Sequence, residues 1–122
     1  MIGAGKIHSI SVSTSKGDKK HNVDRATLVV ECGITGDAHA GSERQVSLLP
    51  LESFAGIQKV LPNLRPGDFA ENITTRGIDL LALQLGSRIK LGDSAEIETA
   101  FTRRGVVELE VVGIGTASGS QL

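Results

Sequence analysis

The chain has 122 residues, a formal net charge of −1 and one cysteine. That length suits a single domain, 1–122, able to bury a core without disulfides. The charge gives no broad attraction to nucleic acid or an anionic membrane, and the lack of Trp and Tyr argues against base stacking. With Phe54, Phe69 and Phe101 as the only aromatics, the core must be aliphatic, and 15 glycines with three prolines suit the many tight turns of an all-β chain. A lone cysteine fits a reducing, cytoplasmic setting. The first ten residues hold no apolar signal-peptide core, and no run reaches the roughly 18 apolar residues of a membrane span.

Lys6 to Ser13 alternates, Ile10 and Val12 against Ser9, Ser11 and Ser13, and predicts a strand with one buried face. Ser15 to Asn22 reads as a polar loop whose lysines are solvated or help hold an anion. Thr27 to Cys32 is β-branched and continuous, a buried strand with Cys32 as a small core residue near its end. Three glycines between Gly33 and Gly41 make a loop that folds closely on itself. Asp37 and His39, two apart, can converge on one ligand there, or form an Asx-type turn; two donors alone do not make a metal site. Arg44 to Leu49 is another strand, with Val46 and Leu48 on one face and Gln45, Ser47 and Leu49 on the other.

Pro50 can open a helix, and Phe54, Ile57, Val60 and Leu61 recur at helical spacing before Pro62 stops it. This predicts one short helix over 51–61 whose apolar stripe is core. Arg65-Pro66-Gly67-Asp68 is a turn signal, and Asn72 to Thr75 a short strand, polar on one face, that Arg76-Gly77 ends. Asp68, Glu71, Asn72 and Thr74 therefore crowd one strand end, where sites are often built, although such groups can equally bond their own backbone. Leu80 to Leu85 reads as a tight crossover, Gly92-Asp93 as the turn of a hairpin between 88–91 and 94–99, and Val107, Leu109 and Val111 as one face of a last strand. The tail from Gly113 to Leu122 is small, polar and expected to fray. About seven short strands and one helix suggest a small barrel or sandwich.

Two segments, "GITGDAHAGSERQVSLL" (Gly33 to Leu49) and "LRPGDFAENITTRGIDL" (Leu64 to Leu80), resemble the MOSC domain, the molybdenum-cofactor sulfurase C-terminal domain, and most closely its small stand-alone bacterial members. The similarity continues through "LGSRIKLGDSAEIE" (Leu85 to Glu98) and is strongest over 5–98. It implies a mainly β fold, a small β-barrel of the pyruvate-kinase-barrel type with one short helix, here with an altered or truncated C-terminus. It implies binding of the molybdenum cofactor (molybdopterin), or carrying or transferring sulfur to it, with a sulfurase or molybdoenzyme as partner. The pyridoxal-phosphate module of the larger relatives has no counterpart in 122 residues. The cysteine that family members usually carry late in the domain is absent, and Cys32 does not match its position, which puts catalysis in doubt.

Under this resemblance the cofactor-binding candidates are Asp37, His39, Arg44, Gln45, Glu71, Asn72 and Thr74. Arg44 would pair with a phosphate, Gln45 would read a pterin amide, and Asn72, Thr74 and the amides of the Gly33–Gly41 loop would hold a pterin edge or phosphate. Each also has a plain structural reading, as a strand or turn residue. Two other functions compete: a non-enzymatic assembly module that forms a homodimer through an open sheet edge, and a hydrolase using Asp37, His39 and Glu71. The spatial expectation common to the site readings is that the Asp37–His39 glycine bend and the Glu71–Asn72 segment line a common hollow at one mouth of a small closed sheet.

Overall fold

The computed structural model describes all residues except 1–4, 16–18, 39, 42–44, 70, 93, 104–105, 114 and 119–122, and it describes no side chains at 55–56, 81, 101–108 and 116–118. Ten strands carry the fold: β1 (Lys6–Val12), β2 (His21–Val23), β3 (Arg25–Val29), β4 (Gly33–Ile34), β5 (Val46–Pro50), β6 (Ile73–Arg76), β7 (Arg88–Leu91), β8 (Ala95–Arg103), β9 (Val106–Gly113) and β10 (Gly115–Ser118). A 3-10 turn (Leu51–Ser53) runs into a single helical turn, α1 (Phe54–Ile57), after β5, and a second 3-10 turn (Leu80–Ala82) follows β6.

Seven strands form one sheet in the order β2-β1-β6-β5-β9-β8-β7, and β10-β3-β4 form a second. Strand β6 lies inside the large sheet, between β1 and β5. It pairs antiparallel with β1 and parallel with β5, the parallel pairing made possible by the crossover through α1. The core is aliphatic, as the composition requires: Ile10, Leu28, Ile34, Val46, Leu48, Ile73, Leu80, Leu91, Ile97, Leu109 and Val111 form one buried cluster. At about 1.5–3 kcal/mol for each such side chain, this cluster is the main favourable term of the fold. The mainly β expectation holds. Among the described residues the ladders trace two open sheets and no closed ring, so the barrel of the sequence reading is not seen in the pairing.

Four local expectations are corrected. Strand β1 is buried on both faces: Ser9, Ser11 and Ser13 are as covered as Ile10, because the 35–41 and 65–69 loops pack on the serine side. The predicted helix over 51–61 ends as one turn. Phe54 is buried, but Ile57, Val60 and Leu61 are exposed, Val60 at 79%, so the helical stripe is not core. Gly56 and Pro62 leave too little helix for a 3.6-residue repeat to bury. Cys32 lies in the turn after β3, its N–H donating to Val29 O at 3.1 Å, and is half-buried.

The fourth correction concerns the tail. Residues 115–118 are a strand, β10, antiparallel to β3, with Gly115 opposite Leu28 and Ser118 opposite Arg25. Gly115 is there because of close approach. A Cβ at this position would meet the backbone N of Ala95 and lie 2.8 Å from its Cα. Small residues in the tail thus serve packing.

Glu52 ties the turn after β5 to the end of β6. Its Oε2 accepts from the Gly77 N–H at 2.8 Å. That bond, a bond to its own N–H and the charge of Arg76 hold its carboxyl below the ordinary value of 4.5. A lowered carboxyl contributes stability above its unfolded value and loses it as pH falls through the folded one. Glu52→Gln should therefore leave the acid limb of the stability profile shallower below pH 4.5, seen in urea midpoints across pH. Gly115→Ala should cost about 1–3 kcal/mol by urea denaturation; a frayed tail would leave the midpoint unchanged.

Candidate functional site

The start of β6 carries the second of the two candidate segments. Asn72, fully buried, sits between β1 and β5 and bonds both. Its Oδ1 accepts from Ser47 N at 3.0 Å and its Nδ2 donates to Ser11 O at 3.1 Å. Its own N–H donates to Ser47 O at 2.9 Å, and its carbonyl accepts from Ser11 N at 2.6 Å. The carboxamide thus continues both ladders one step beyond β6, doing with a side chain what the backbone of a longer strand would do.

Glu71, also fully buried, closes the turn before it. Oε2 accepts from Gly67 N and from Thr74 Oγ1, both at 2.8 Å, and Oε1 accepts from Phe69 N at 3.2 Å. Asp68 completes the turn from outside, its Oδ2 accepting from Arg65 N at 2.8 Å. The surface contact between Lys19 and Asp68 at 3.6 Å adds little. Gly67 is required twice over. Its φ is +98°, and a Cβ would sit 3.0 Å from Ser11 Oγ. Asn22 joins the turn to β1, with Nδ2 donating to Ser11 Oγ at 2.7 Å and to Pro66 O at 3.3 Å.

The glycine loop docks two residues further along β1. Asp37 Oδ1 accepts from Ser13 N at 3.1 Å, and the Ala38 N–H donates to Ser13 O at 2.7 Å. Lys20 reaches the same carboxylate at 2.7 Å, and its side chain is as buried as that of Asp37. Lys20 is therefore no solvated loop lysine, which corrects the sequence reading. Gly41 N–H closes the loop onto Cys32 O at 2.7 Å.

The structure thus brings Asp37, Glu71, Asn72 and Thr74 to one polar face, with Ser11 and Ser13 as the joint between them. Gln45 stands apart, half-buried, its Oε1 accepting from Val111 N of β9 at 3.0 Å. His39 and Arg44 lie outside the described residues. Sequence reasoning missed Lys20, Asn22 and the serines of β1. The serine alternation was visible and was read as a solvent face; the Lys20–Asp37 pair leaves no local signal. On the same polar face, in register with Thr74, Ser9 Oγ is buried and has no hydrogen-bond partner among the described residues. No group of three His, Cys, Asp or Glu side chains able to hold a metal occurs among the described residues.

Comparison with known proteins gives the following. The model of the MOSC domain matches residues 35–109. Among solved structures, the YuaD protein from Bacillus subtilis superposes with a TM-score of 0.86 at 17% identity, over 97% of this chain and 93% of that one. YiiM from Geobacillus stearothermophilus does so with a TM-score of 0.76 at 17% identity, over 97% and 73%. YiiM from Escherichia coli gives 0.66 at 18% identity, and there the chain spans 66% of the length. At such identities the likeness shows the fold. No curated protein sequence matches the chain.

Two substitutions test the framework. Glu71→Ala leaves the Gly67 and Phe69 N–H groups without their acceptor and should cost about 2–4 kcal/mol in urea denaturation. Lys20→Met withdraws one partner from the buried Asp37 carboxylate and should cost about 3–5 kcal/mol, much of it recovered in Lys20→Met/Asp37→Leu.

Proposed function

The chain belongs to the MOSC domain family, and on that premise we propose that it binds the molybdenum cofactor at the mouth framed by the 33–41 loop and the 65–74 segment, as a binding or carrier domain. The observation that carries this is the docking of both segments near the end of β1, on Ser13 just past the strand for Asp37 and on Ser11 within it for Asn72. Both segments lie within or at the edge of the family match.

In this reading the buried candidates frame the site. Asp37, Glu71, Asn72 and Thr74 hold the two loops in place, while the loop amides, His39 and Arg44 meet the ligand. Arg44 is suited to a phosphate, which its planar fork can grip with two bonds. Gln45 holds β9 against β5 from behind.

The residues fit the organic part of the cofactor better than its metal. Molybdenum ligation or sulfur transfer by the protein calls for a soft thiolate. The single thiol of the sequence, Cys32, is half-buried in the turn that precedes the glycine loop. We derive no sulfur-transfer step from it. A hydrolase reading is weaker still, since both carboxylates it would use accept hydrogen bonds from backbone donors in the interior.

The open ladder favours one second reading, pairing of two copies through a sheet edge. The available edges of the large sheet are short, β2 with three residues and β7 with four, and β7 exposes Arg88 and Lys90. A sedimentation mass that stays monomeric across concentrations removes it.

The binding reading is tested by purifying the chain from a host that makes the cofactor and measuring bound molybdenum and oxidised-pterin fluorescence. Both should be present, and Arg44→Ala should lower pterin retention at least about tenfold. A fully folded protein carrying neither would overturn the proposal.

A further inference from the structure

The apolar stripe at helical spacing after β5 is only partly used by the fold. Phe54 is buried, whereas Ile57 is 38% exposed, Val60 79% and Leu61 54%. Phe69, on the turn before Glu71, is as exposed as Ile57. These are four of the six large apolar side chains left exposed among the described residues, and they lie together. The Val60 and Leu61 N–H groups both donate to Ile57 O, at 3.0 and 2.9 Å, so one turn carries all three side chains. The Phe69 ring meets Phe54, at the head of that turn, edge-on with 5.6 Å between centroids.

The backbone beneath the patch is tied. Leu64 N–H donates to Leu61 O at 3.2 Å, and Gln58 Nε2 reaches Leu64 O at 3.2 Å. A partner would therefore meet a preformed surface and lose little to ordering it. Phe69 N–H donates to Glu71 Oε1 at 3.2 Å, so the patch shares the turn that frames the polar mouth.

Charge around the patch has one sign. Residues 53–67 hold Lys59 and Arg65, both exposed, and no acid, in a chain of net charge −1. The carboxylates that bracket this stretch are engaged: Glu52 accepts from Gly77 N–H, and Asp68 accepts from Arg65 N–H with Lys19 3.6 Å away. An exposed apolar patch with a polar rim marks an interaction surface, and this rim is cationic.

We propose that the patch docks an acidic amphipathic segment of a partner protein, its apolar face on Ile57, Val60, Leu61 and Phe69 and its carboxylates toward Lys59 and Arg65. A second copy seated face to face fits poorly, because a twofold axis would set the two cationic rims against each other. A membrane surface fits poorly too, since lipid-binding segments carry clusters of about four to eight cations and this rim has two.

The test titrates the full chain, labelled with 15N, near neutral pH with an N-acetylated peptide of about 16 residues of Leu, Ala and Glu, its leucines at helical spacing. The same peptide with Lys in place of Glu is titrated separately. The acidic peptide should shift the amides of Ile57, Val60, Leu61 and Phe69 saturably, with a Kd of about 0.1–1 mM, and the lysine peptide should not. Leu61→Ser, at an exposed position, should leave the chain folded and weaken binding at least about fivefold. Lys59→Glu/Arg65→Glu should weaken it at least about tenfold. No saturable shift by about 5 mM peptide, an equal response to the lysine peptide, or unchanged affinity in Leu61→Ser would overturn the proposal. So would pelleting with vesicles of phosphatidylcholine and phosphatidylserine, or a dimeric sedimentation mass, if either is abolished by Leu61→Ser, since the patch would then belong to a membrane or to a second copy.

Discussion

The carboxamide of Asn72 is the constraint on which the arrangement of this molecule depends. It is fully buried, and its oxygen, its NH2 group and both of its backbone polar groups are hydrogen-bonded to the strands on either side. Those strands run in opposite senses relative to β6, one parallel and one antiparallel. A residue that joins them must offer an acceptor to one and a donor to the other from a single short side chain. Asn does this; an apolar residue would take the acceptor from Ser47 N–H and the donor from Ser11 C=O, each lost bond costing about 1–3 kcal/mol. The register of β6 against both neighbours is fixed at that point. With it the turn at 66–69 is fixed against β1.

Around Asn72 the molecule divides into two kinds of interior. The aliphatic cluster supplies the driving force and would be satisfied by many packings of similar volume. The polar face supplies position. The Lys20–Asp37 pair shows the difference well: taking both charges out of water costs several kcal/mol each, which their attraction recovers only in part. What the pair gives in exchange is a fixed place for the glycine loop at the end of β1. Glu71 does the same for the Pro66–Phe69 turn, gathering two backbone N–H groups and a hydroxyl on one carboxylate. Two loops distant in sequence are thereby held on one rigid strand, the condition for a precise binding mouth.

Much of this was legible in the chain. Alternation in 95–99 and 107–111 marked β8 and β9, Gly92 marked their hairpin neighbour, and Pro66-Gly67-Asp68 marked the turn. The polar crowd at 68–74 was recognised as one cluster, although its members turn inward. Three things escaped for physical reasons. Serines on β1 look like solvent-facing residues, because alternation reports polarity and says nothing about which loops will cover it. The stripe from Phe54 to Leu61 has helical spacing, but a helix of one turn cannot use it. Glycine in the tail reads as looseness, whereas Gly115 is small because the Ala95 backbone leaves no room for a Cβ. The salt link between Lys20 and Asp37 depends on tertiary placement alone.

One buried amide holds the platform of both loops together, and amide hydrogen exchange read by NMR in the wild-type chain and in Asn72→Ala is the sharpest check of that. The Ser47 amide, which donates to the carboxamide oxygen, should be slow-exchanging in the wild type and should exchange at least about tenfold faster in the variant, while the Ser11 amide keeps the Asn72 backbone carbonyl as its acceptor and should lose less, with Gly67 and Phe69 following as the turn loosens. Core amides of β8 should keep their protection. Unchanged protection at Ser47 in a folded Asn72→Ala protein would contradict this, because it would mean that the two strands hold their places without the side chain between them.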